Sequence, residues 1–453
     1  MKIMKRTALS TTQLILVSFL AVILLGSILL TLPISSATGE PVAYVDALFT
    51  ATTATCVTGL VTLPTFSAWS VFGQVVILVL IQMGGLGIIT VMTGLMVAVN
   101  RKIGLRDSQL IQDAFNLNTL SGMAAFVRKV ILGTLVVETV GALGYMTVFV
   151  PQFGAKGIWI SVFNAVSAFC NAGIDIIGAN SLCDYATHPV VNAVTSALIF
   201  LSGIGFIVWW DVLRVLKNWK NQKLKCFSGL TLHSKLALSA TLVLLVGGGL
   251  LILLLEWDNP LTLGPLSVAD KLQVAFFQSV TTRTAGFATV PQENLTNASA
   301  FVCLLLMFVG GSPVGTAGGI KTVTVVVLAA TTLATVRGKS EVTICHRRIP
   351  QQTVAKAVAV TCMSLAIWML STVLLAACTQ ASMLDILYET VSAAATVGLT
   401  RNLTSTLGLL GKMIIIATMY FGRVGPISLA FAFKTRKEAV NLIKDPTEDI
   451  SVG

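Results

Sequence analysis

Hydrophobic residues are concentrated in runs of about twenty residues or more, and shorter polar segments separate these runs. A run of this length crosses the hydrocarbon core of a bilayer as an α-helix. Eight runs predict eight transmembrane helices, near residues 14–32, 71–99, 126–150, 190–213, 236–255, 300–335, 354–378 and 407–433. The pattern therefore predicts an all-α polytopic membrane protein.

The composition agrees with this architecture and excludes several other classes of protein. Of the 453 residues, 55% are hydrophobic and 11% are charged, whereas about 25% of a typical soluble domain is charged. So few charges cannot cover a soluble surface, and the apolar content excludes a disordered chain. The eight cysteines include no CxxC pair, so neither a zinc site nor a redox motif is indicated.

The basic residues are distributed in a way that predicts the orientation of the chain. Of the 30 Lys and Arg, 23 lie in the N-terminus, the 100–129, 214–235 and 336–356 loops, and the C-terminal tail. The intervening loops carry Asp and Glu instead. By the positive-inside rule, both termini are cytoplasmic and the number of spans is even. The net charge of +11 thus reflects membrane topology, and the bilayer rather than a nucleic acid is the expected partner.

A short segment between the two members of each pair of spans recurs four times. Each copy begins with an aromatic residue and ends in glycine, at residues 49–59, 163–173, 277–286 and 388–398. The four glycines are 114, 113 and 112 residues apart, which indicates an internal repeat. The predicted repeats are residues 1–100, 101–217, 218–338 and 339–453. The third copy is one residue shorter, which predicts a local difference in its loop.

Each repeat unit consists of a span, a short helix, a glycine-ended loop and a second span. A helix of about ten residues cannot cross the bilayer, so it must re-enter. Non-helical backbone at that depth must be buried in protein or line a water-filled cavity. The C-terminal end of the short helix favours a cation, and carbonyl oxygens of the loop can replace an ion's hydration shell. Because these segments contain little acid, a monovalent cation is favoured over Ca²⁺ or Mg²⁺.

These segments resemble those of the Trk/Ktr/HKT superfamily of potassium transporters, and in particular the membrane subunits of bacterial Ktr systems. The resemblance covers essentially the whole chain and is carried most clearly by residues 168–173, 277–286 and 396–399. It implies four fused M1–P–M2 repeats around a pseudo-fourfold central pore, with eight transmembrane helices and four re-entrant pore helices.

The resemblance also implies which residues form the ion filter. The four terminal glycines would be the filter glycines, and the two residues before each would present carbonyl oxygens to K⁺. The implied K⁺ site consists of Val57, Thr58, Gly59, Asn171, Ala172, Gly173, Thr284, Ala285, Gly286, Thr396, Val397 and Gly398. The serine that marks sodium-favouring plant relatives is absent, because glycine stands at position 59.

A glycine-rich stretch, residues 310–321, interrupts the sixth predicted span. Five glycines and one proline in twelve residues cannot hold a regular helix. A phosphate cradle, a packing kink and an intramembrane loop that blocks the pore are the possible interpretations, and the resemblance implies the last. The implied gate residues are Gly310, Gly311, Ser312, Pro313, Gly315, Gly318, Gly319, Lys321 and Arg423.

Arg423 lies in the last predicted span, where a charge is costly unless it meets water or a partner. Two placements are open. Arg423 pairs with Glu138 of the third span, or it lies beside the pore as a positive barrier under the filter. Arg283, near a filter glycine, is expected to hold its loop, because a cation facing the ion would repel K⁺.

The expected function is potassium uptake across the bacterial cell membrane by a pore-forming subunit, not an enzyme. A sodium-carrying or sodium-coupled member, including one associated with a sodium-pumping ATPase, is the alternative. No cofactor is expected in this chain; K⁺ is the expected substrate ion, and Na⁺ is a candidate activating or coupled ion. The resemblance implies a cytosolic nucleotide-binding regulatory ring of RCK (KtrA-like) type and a homodimer.

Overall fold

A computed structural model describes residues 11–98, 123–217, 228–339 and 341–425. Most of the basic residues that predict the cytoplasmic face lie outside these ranges, in the N-terminus, the 100–129 and 214–235 loops and the tail. Residues 426–433 of the last predicted span also lie outside them. The placement of both termini in the cytoplasm therefore stays a prediction.

Sixteen helices and one hairpin make up the regular structure of the described residues. In chain order they are α1 (Thr11–Thr31), α2 (Tyr44–Cys56), α3 (Thr65–Ala68), α4 (Val71–Leu86), α5 (Ile88–Ala98), α6 (Met123–Phe153), α7 (Ala155–Cys170), α8 (Pro189–Gly203), α9 (Phe206–Lys217), α10 (Leu232–Glu256), α11 (Val268–Thr281), α12 (Asn297–Phe308), α13 (Thr322–Val336), β1 (Thr343–Ile344), β2 (Arg347–Arg348), α14 (Gln351–Ala376), α15 (Met383–Ala394) and α16 (Leu409–Val424). The strands β1 and β2 pair antiparallel between α13 and α14.

Four of these helices, α1, α6, α10 and α14, are long and apolar enough to cross a membrane without interruption. Their outward surfaces are apolar: Leu135, Val136 and Val140 of α6 are each more than half exposed. A soluble protein rarely leaves so continuous an apolar surface in water. The first, third, fifth and seventh predicted spans thus have the length and surface that a bilayer requires.

The second, fourth and sixth predicted spans are interrupted, whereas the sequence pattern predicts a break only in the sixth. A glycine with positive φ follows α4 (Gly87, 84°) and α8 (Gly205, 88°). The axes of α8 and α9 differ by 98°. Residues 309–321 separate α12 from α13. Glycine reaches positive φ at little cost, so the expectation of unbroken second and fourth spans is wrong. The helix of the eighth span, α16, ends at Val424, and the rest of that span lies outside the described residues.

The four short helices α2, α7, α11 and α15 carry the recurring segments and pack in a closed order. Each packs against the helix that follows the previous recurring segment: α4 contacts α7, α8 contacts α11, α12 contacts α15, and α16 returns to α2. An ion pair between Lys412 of α16 and Asp46 of α2 (2.6 Å) joins the last of these helices to the first. This order places the four glycine-ended loops around a common point.

Glu256, at the end of α10, anchors the segment that leads to α12. Its carboxylate is fully buried and accepts hydrogen bonds from Asn259 Nδ2 (2.6 Å) and Thr262 Oγ1 (2.5 Å) through Oε2. Its Oε1 accepts from the backbone N–H (2.9 Å) and hydroxyl (2.7 Å) of Thr296, the N-cap residue of α12. Four donors therefore compensate the burial of the carboxylate.

We expect Glu256→Gln to destabilise the protein by about 1–3 kcal/mol, because an amide N–H₂ would face two of these donors and leave them unsatisfied. The apparent melting temperature in detergent measures this effect. Glu40→Gln is the control, since Glu40 is exposed. Equal melting temperatures for the two variants would show that Glu256 does not anchor this segment.

Candidate functional site

The four glycines that end the recurring segments lie within contact distance of one another. A Cβ atom at Gly59 would lie 2.5 Å from the carbonyl oxygen of Ala172, 3.1 Å from Cα of Gly398 and 3.3 Å from Cα of Gly173. Glycines more than one hundred residues apart in the chain therefore approach through backbone atoms alone.

The same relation holds for the other three glycines, and it closes into a ring. Each glycine faces the carbonyl oxygen of the residue before the next glycine. These oxygens belong to Ala285 for Gly173 (2.7 Å from a Cβ), to Val397 for Gly286 (2.6 Å) and to Thr58 for Gly398. Any side chain at these positions would enter the ring, so only glycine leaves its centre open.

The backbone conformation of the four loops is also shared. The residue two before each glycine has positive φ: Val57 (56°), Asn171 (59°), Thr284 (65°) and Thr396 (53°). Each terminal glycine has positive φ as well, between 64° and 99°, and the residue between the two does not. Two positive-φ residues in three turn the chain sharply at the same place in all four loops.

A hydroxyl group four residues after each aromatic residue fixes the loop, and the sequence analysis missed it. Thr53 Oγ1 and Ser392 Oγ accept from the N–H of Gly59 and Gly398, both at 2.9 Å. Ser167 Oγ donates to the carbonyl of Ile174 (2.5 Å), and Thr281 Oγ1 donates to that of Phe287 (2.6 Å). The sequence shows this pattern in all four copies, because a Ser or Thr stands four residues after each aromatic residue.

The third loop differs locally from the others, as its shorter length predicts. In the first, second and fourth loops, the N–H before the glycine donates to the carbonyl five residues earlier, as from Val397 to Ser392 (2.8 Å). In the third, Ala285 donates to Thr281, four residues earlier (3.0 Å). The missing residue is therefore absorbed by a tighter turn, and Gly286 still reaches the ring.

Residues 309–321 contain the predicted gate stretch, are called the gate loop for that reason, and have a defined conformation. The loop closes on itself through hydrogen bonds from Gly310 N to Ile320 O (3.0 Å) and from Thr322 N to Gly311 O (3.0 Å). It docks in the gap between α8 and α9, where Ser312 N donates to the carbonyl of Gly203 (2.8 Å). It is neither a helix with a simple kink nor an extended strand.

The gate loop lies against the ring of filter loops. A Cβ atom at Gly318 would collide with the side chain of Thr396 and lie 2.7 Å from the carbonyl oxygen of Ala395. The carboxamide of Asn171 donates to Thr316 Oγ1 (3.1 Å). The structure therefore brings the predicted gate residues next to the predicted filter residues of the second and fourth loops.

Arg423 contacts the gate loop, and it does not pair with Glu138. Its Nη1 donates to the carbonyl of Thr316 (2.7 Å), and its Nη2 donates to those of Gly84 (2.5 Å) and Gly85 (3.3 Å). Glu138 accepts from Gln82 Nε2 (3.2 Å). Of the two placements left open by the sequence, the pair with Glu138 is excluded.

Two further cations hold the same loop by its backbone. Arg283 donates to the carbonyls of Gly310 (3.0 Å) and Thr241 (3.3 Å). Its side chain therefore binds the gate loop and α10, whereas the sequence predicts that it holds its own loop. Lys321 Nζ donates to Ala317 O (2.5 Å). Within the described ranges, no carboxylate pairs with Arg283, Lys321 or Arg423.

Comparison with known proteins identifies the family. The model of the TrkH family, described as cation transport proteins, matches residues 3–443. The chain belongs to this family. It is therefore an integral membrane protein of a family of transporters and not of enzymes, as predicted.

Individual relatives match the chain over its whole length. It is 40% identical to the Ktr system potassium uptake protein B of Bacillus subtilis, covering 100% of this chain and 99% of the relative. It is 39% identical to the potassium/sodium uptake protein NtpJ of Enterococcus hirae, covering 100% of both. The resemblance to KtrB-type subunits is thereby confirmed.

The fold agrees with a solved structure of the family. The crystal structure of the potassium transporter TrkH from Vibrio parahaemolyticus matches with a TM-score of 0.74 over 96% of this chain and 87% of that chain, at 16% sequence identity. The all-α polytopic fold is confirmed by this match.

The hydroxyl of Thr53 offers a test of the loop geometry. We expect Thr53→Val to lower cation transport in proteoliposomes at least tenfold, because the buried N–H of Gly59 loses its acceptor, at about 1–3 kcal/mol. Thr53→Ser keeps the acceptor and should retain transport. Thr52→Val is the matched control, since Thr52 bonds only within its helix, to Leu48 O (2.7 Å). Equal transport by Thr53→Val and Thr52→Val would contradict the proposed support.

Proposed function

We propose that this protein is the pore-forming subunit of a potassium uptake system, with one ion pathway through each chain. The observation that carries the proposal is the ring of four glycine-ended loops. In this proposal, the predicted repeats are four M1–P–M2 units arranged with pseudo-fourfold symmetry. Each unit consists of an unbroken span, a pore helix and a second span, and the four pore helices surround a central pore.

The proposed filter consists of Val57–Gly59, Asn171–Gly173, Thr284–Gly286 and Thr396–Gly398. Its ligands are backbone carbonyl oxygens, which suit a monovalent cation that sheds its water easily. The C-terminal ends of α2, α7, α11 and α15 approach the ring, and their partial negative charge favours a cation there. Buried hydroxyls of Thr58, Thr284 and Thr396 have no hydrogen-bond partner among the described residues.

A sodium-carrying or sodium-coupled function is the second candidate. The identity to NtpJ, a potassium/sodium uptake protein, is nearly equal to the identity to KtrB of Bacillus subtilis. All four filter positions are glycine, as a K⁺ filter of this family requires, and this favours potassium. Direct competition between Rb⁺ and Na⁺ separates the two functions.

We propose that the gate loop closes the pore below the filter. The proposal is supported by its contacts with the second and fourth filter loops and by the positive charges of Lys321 and Arg423. These cations donate to loop carbonyls and have no carboxylate partner among the described residues, so their positive potential opposes the passage of K⁺. Movement of the loop would remove both the backbone obstacle and this barrier.

We also propose the setting in which the subunit works. It would lie in the bacterial cell membrane with both termini in the cytoplasm and would form a homodimer. A cytosolic nucleotide-binding ring of RCK (KtrA-like) type would bias the gate loop. The route is α13, which begins at the end of the gate loop and leads to the β1–β2 hairpin with exposed Arg347 and Arg348.

Gly59→Ser tests the filter. The new side chain would enter the ring beside Ala172 O and Gly398 Cα, so we expect the Rb⁺/Na⁺ uptake ratio of proteoliposomes to fall at least tenfold. Gly39→Ser is the matched control. Gly39 also has positive φ (76°), but a Cβ there meets nothing within 4 Å, so Gly39→Ser places a side chain at positive φ without a contact in the ring. An unchanged ratio in Gly59→Ser would refute the filter assignment.

Shortening the gate loop tests the gate. The bridge between Val309 and Ile320 lets residues 313–318 be deleted while the loop stays closed at its base. We expect severalfold higher basal Rb⁺ uptake per folded molecule and less activation by the cytosolic fraction. Equal or lower basal uptake with intact activation would overturn the gate assignment.

Arg423→Gln gives an independent test of the same gate. It removes the charge that holds Thr316 and should also raise basal uptake. Lys412→Gln is the control, because Lys412 lies on the same helix but pairs with Asp46. Equal basal uptake by these two variants would separate Arg423 from the gate.

A further inference from the structure

Thr316 is the point at which the gate loop, the second filter loop and the last span meet. Its side chain and backbone are fully buried. Its Oγ1 accepts from Asn171 Nδ2 (3.1 Å) and donates to the carbonyl of Phe169 (3.2 Å). Its carbonyl accepts from Arg423 (2.7 Å), and its N–H donates to Ser202 O (3.4 Å). Every polar group of Thr316 thus makes a hydrogen bond to a neighbouring segment.

Asn171 is the filter residue at the other end of this contact. It is 1% exposed and has left-handed backbone, a conformation that asparagine tolerates better than most residues. Its Nδ2 binds Thr316, and its Oδ1 accepts from Ser202 Oγ (3.3 Å). Both ends of the carboxamide are therefore held, one by the gate loop and one by α8.

The corresponding residues of the other filter loops make no such connection. The side chain of Val57 has no polar group, and the hydroxyls of Thr284 and Thr396 have no hydrogen-bond partner among the described residues. Of the four residues at this position, only Asn171 makes a side-chain hydrogen bond to the gate loop. The third loop is tied to the gate loop one residue earlier, through Arg283.

We propose that Asn171 is a positioning residue that makes the ion affinity of the filter depend on the position of the gate loop, through its hydrogen bond to Thr316. This inference rests on the proposed function and adds a regulatory step to it. With the loop docked, Asn171 holds the second filter loop in the ring. When the loop moves, the carboxamide loses one buried partner, and the second filter loop is held less firmly.

Thermodynamic linkage makes the coupling reciprocal. If the docked gate loop strengthens K⁺ binding, then K⁺ in the filter must stabilise the docked gate loop by the same factor. The factor is set by one buried hydrogen bond, which corresponds to about two- to tenfold in affinity. Arg423 acts on the same residue of the loop, so its contact with Thr316 biases the same equilibrium.

The first test measures the K⁺ affinity of purified full-length protein from the K⁺ concentration that gives half-maximal thermal stabilisation, with choline replacing K⁺. Thr316→Val removes the hydroxyl and keeps the backbone bonds of Thr316. We expect two- to tenfold weaker K⁺ affinity, and Thr316→Ser should restore it. Asn171→Thr introduces the residue that the chain itself uses at positions 284 and 396, so the left-handed backbone is tolerated. It should weaken K⁺ affinity to the same degree.

The double variant Asn171→Thr/Thr316→Val tests whether the two residues act through their shared hydrogen bond or whether each substitution damages the structure independently. We expect its loss of K⁺ affinity to be smaller than the product of the two single effects, because both variants remove the shared bond between Asn171 and Thr316. Each variant also loses one bond of its own, to Phe169 O in Thr316→Val and from Ser202 in Asn171→Thr. Thr284→Val is the control. Its effect on K⁺ affinity should multiply with that of Thr316→Val, because the hydroxyl of Thr284 makes no bond to the gate loop.

Hydrogen exchange of residues 310–321 supplies a second readout that does not depend on the affinity measurement. K⁺ should slow exchange of these amides relative to choline in the wild type, and this difference should be lost in Asn171→Thr. Multiplying effects in the double variant, or exchange that K⁺ changes equally in both proteins, would overturn the inference while leaving the filter intact. A wild type that K⁺ does not stabilise and that takes up no Rb⁺ would overturn the proposed function itself.

Discussion

Peptide groups inside a membrane have no water to bind, so every stretch of non-helical backbone must find its hydrogen-bond partners within the protein. The four glycine-ended loops and the gate loop are five such stretches, and each has its own hydrogen-bond partners. A hydroxyl from the preceding helix secures each filter loop. The carbonyls of α8, together with the guanidinium groups of Arg283 and Arg423, secure the gate loop. The carbonyl oxygens of Thr58, Ala172, Ala285 and Val397 lie at the ring, and in the proposed function they bind a cation.

The electrostatic balance follows from the same constraint. A buried arginine is usually compensated by a carboxylate, yet Arg283 and Arg423 donate to backbone carbonyls. Carbonyl dipoles satisfy the N–H groups without cancelling the charge. In the proposed gate, the region next to the glycine ring therefore keeps a positive potential while the loop is docked, and a carboxylate partner such as Glu138 would remove this potential. Backbone ligation of arginine is thus suited to an electrostatic barrier, whereas an ion pair is suited only to stability.

Much of this arrangement could be predicted from the sequence, and the failures have a common cause. The even spacing of Gly59, Gly173, Gly286 and Gly398 is enough to predict the four loops, because the repeat imposes it on the chain. The breaks at Gly87 and Gly205 were not predicted, because hydropathy depends on the side chains and a change of backbone torsion at one glycine does not alter the hydropathy. The partner of Arg423 could not be predicted, since it depends on which backbone carbonyls the folded chain brings near it. Repeats and composition can be seen in the sequence itself, whereas hydrogen bonds between distant segments depend on the folded structure.

The contrast between a fourfold filter and a single gate loop has a physical consequence. Four similar loops share one ring, but among the described residues only the sixth span carries an insertion that reaches this ring, residues 309–321. An obstacle from one side cannot contact all four loops equally, and Thr316 and Gly318 contact the second and fourth. A change in the position of the gate loop must therefore act on the filter through particular side chains. At the positions of these side chains, the residues of the four repeats are free to differ. Asn171 stands at such a position, with Val57, Thr284 and Thr396 in its place elsewhere. The four repeats are thus expected to differ from one another wherever the gate loop contacts the ring of glycine-ended loops.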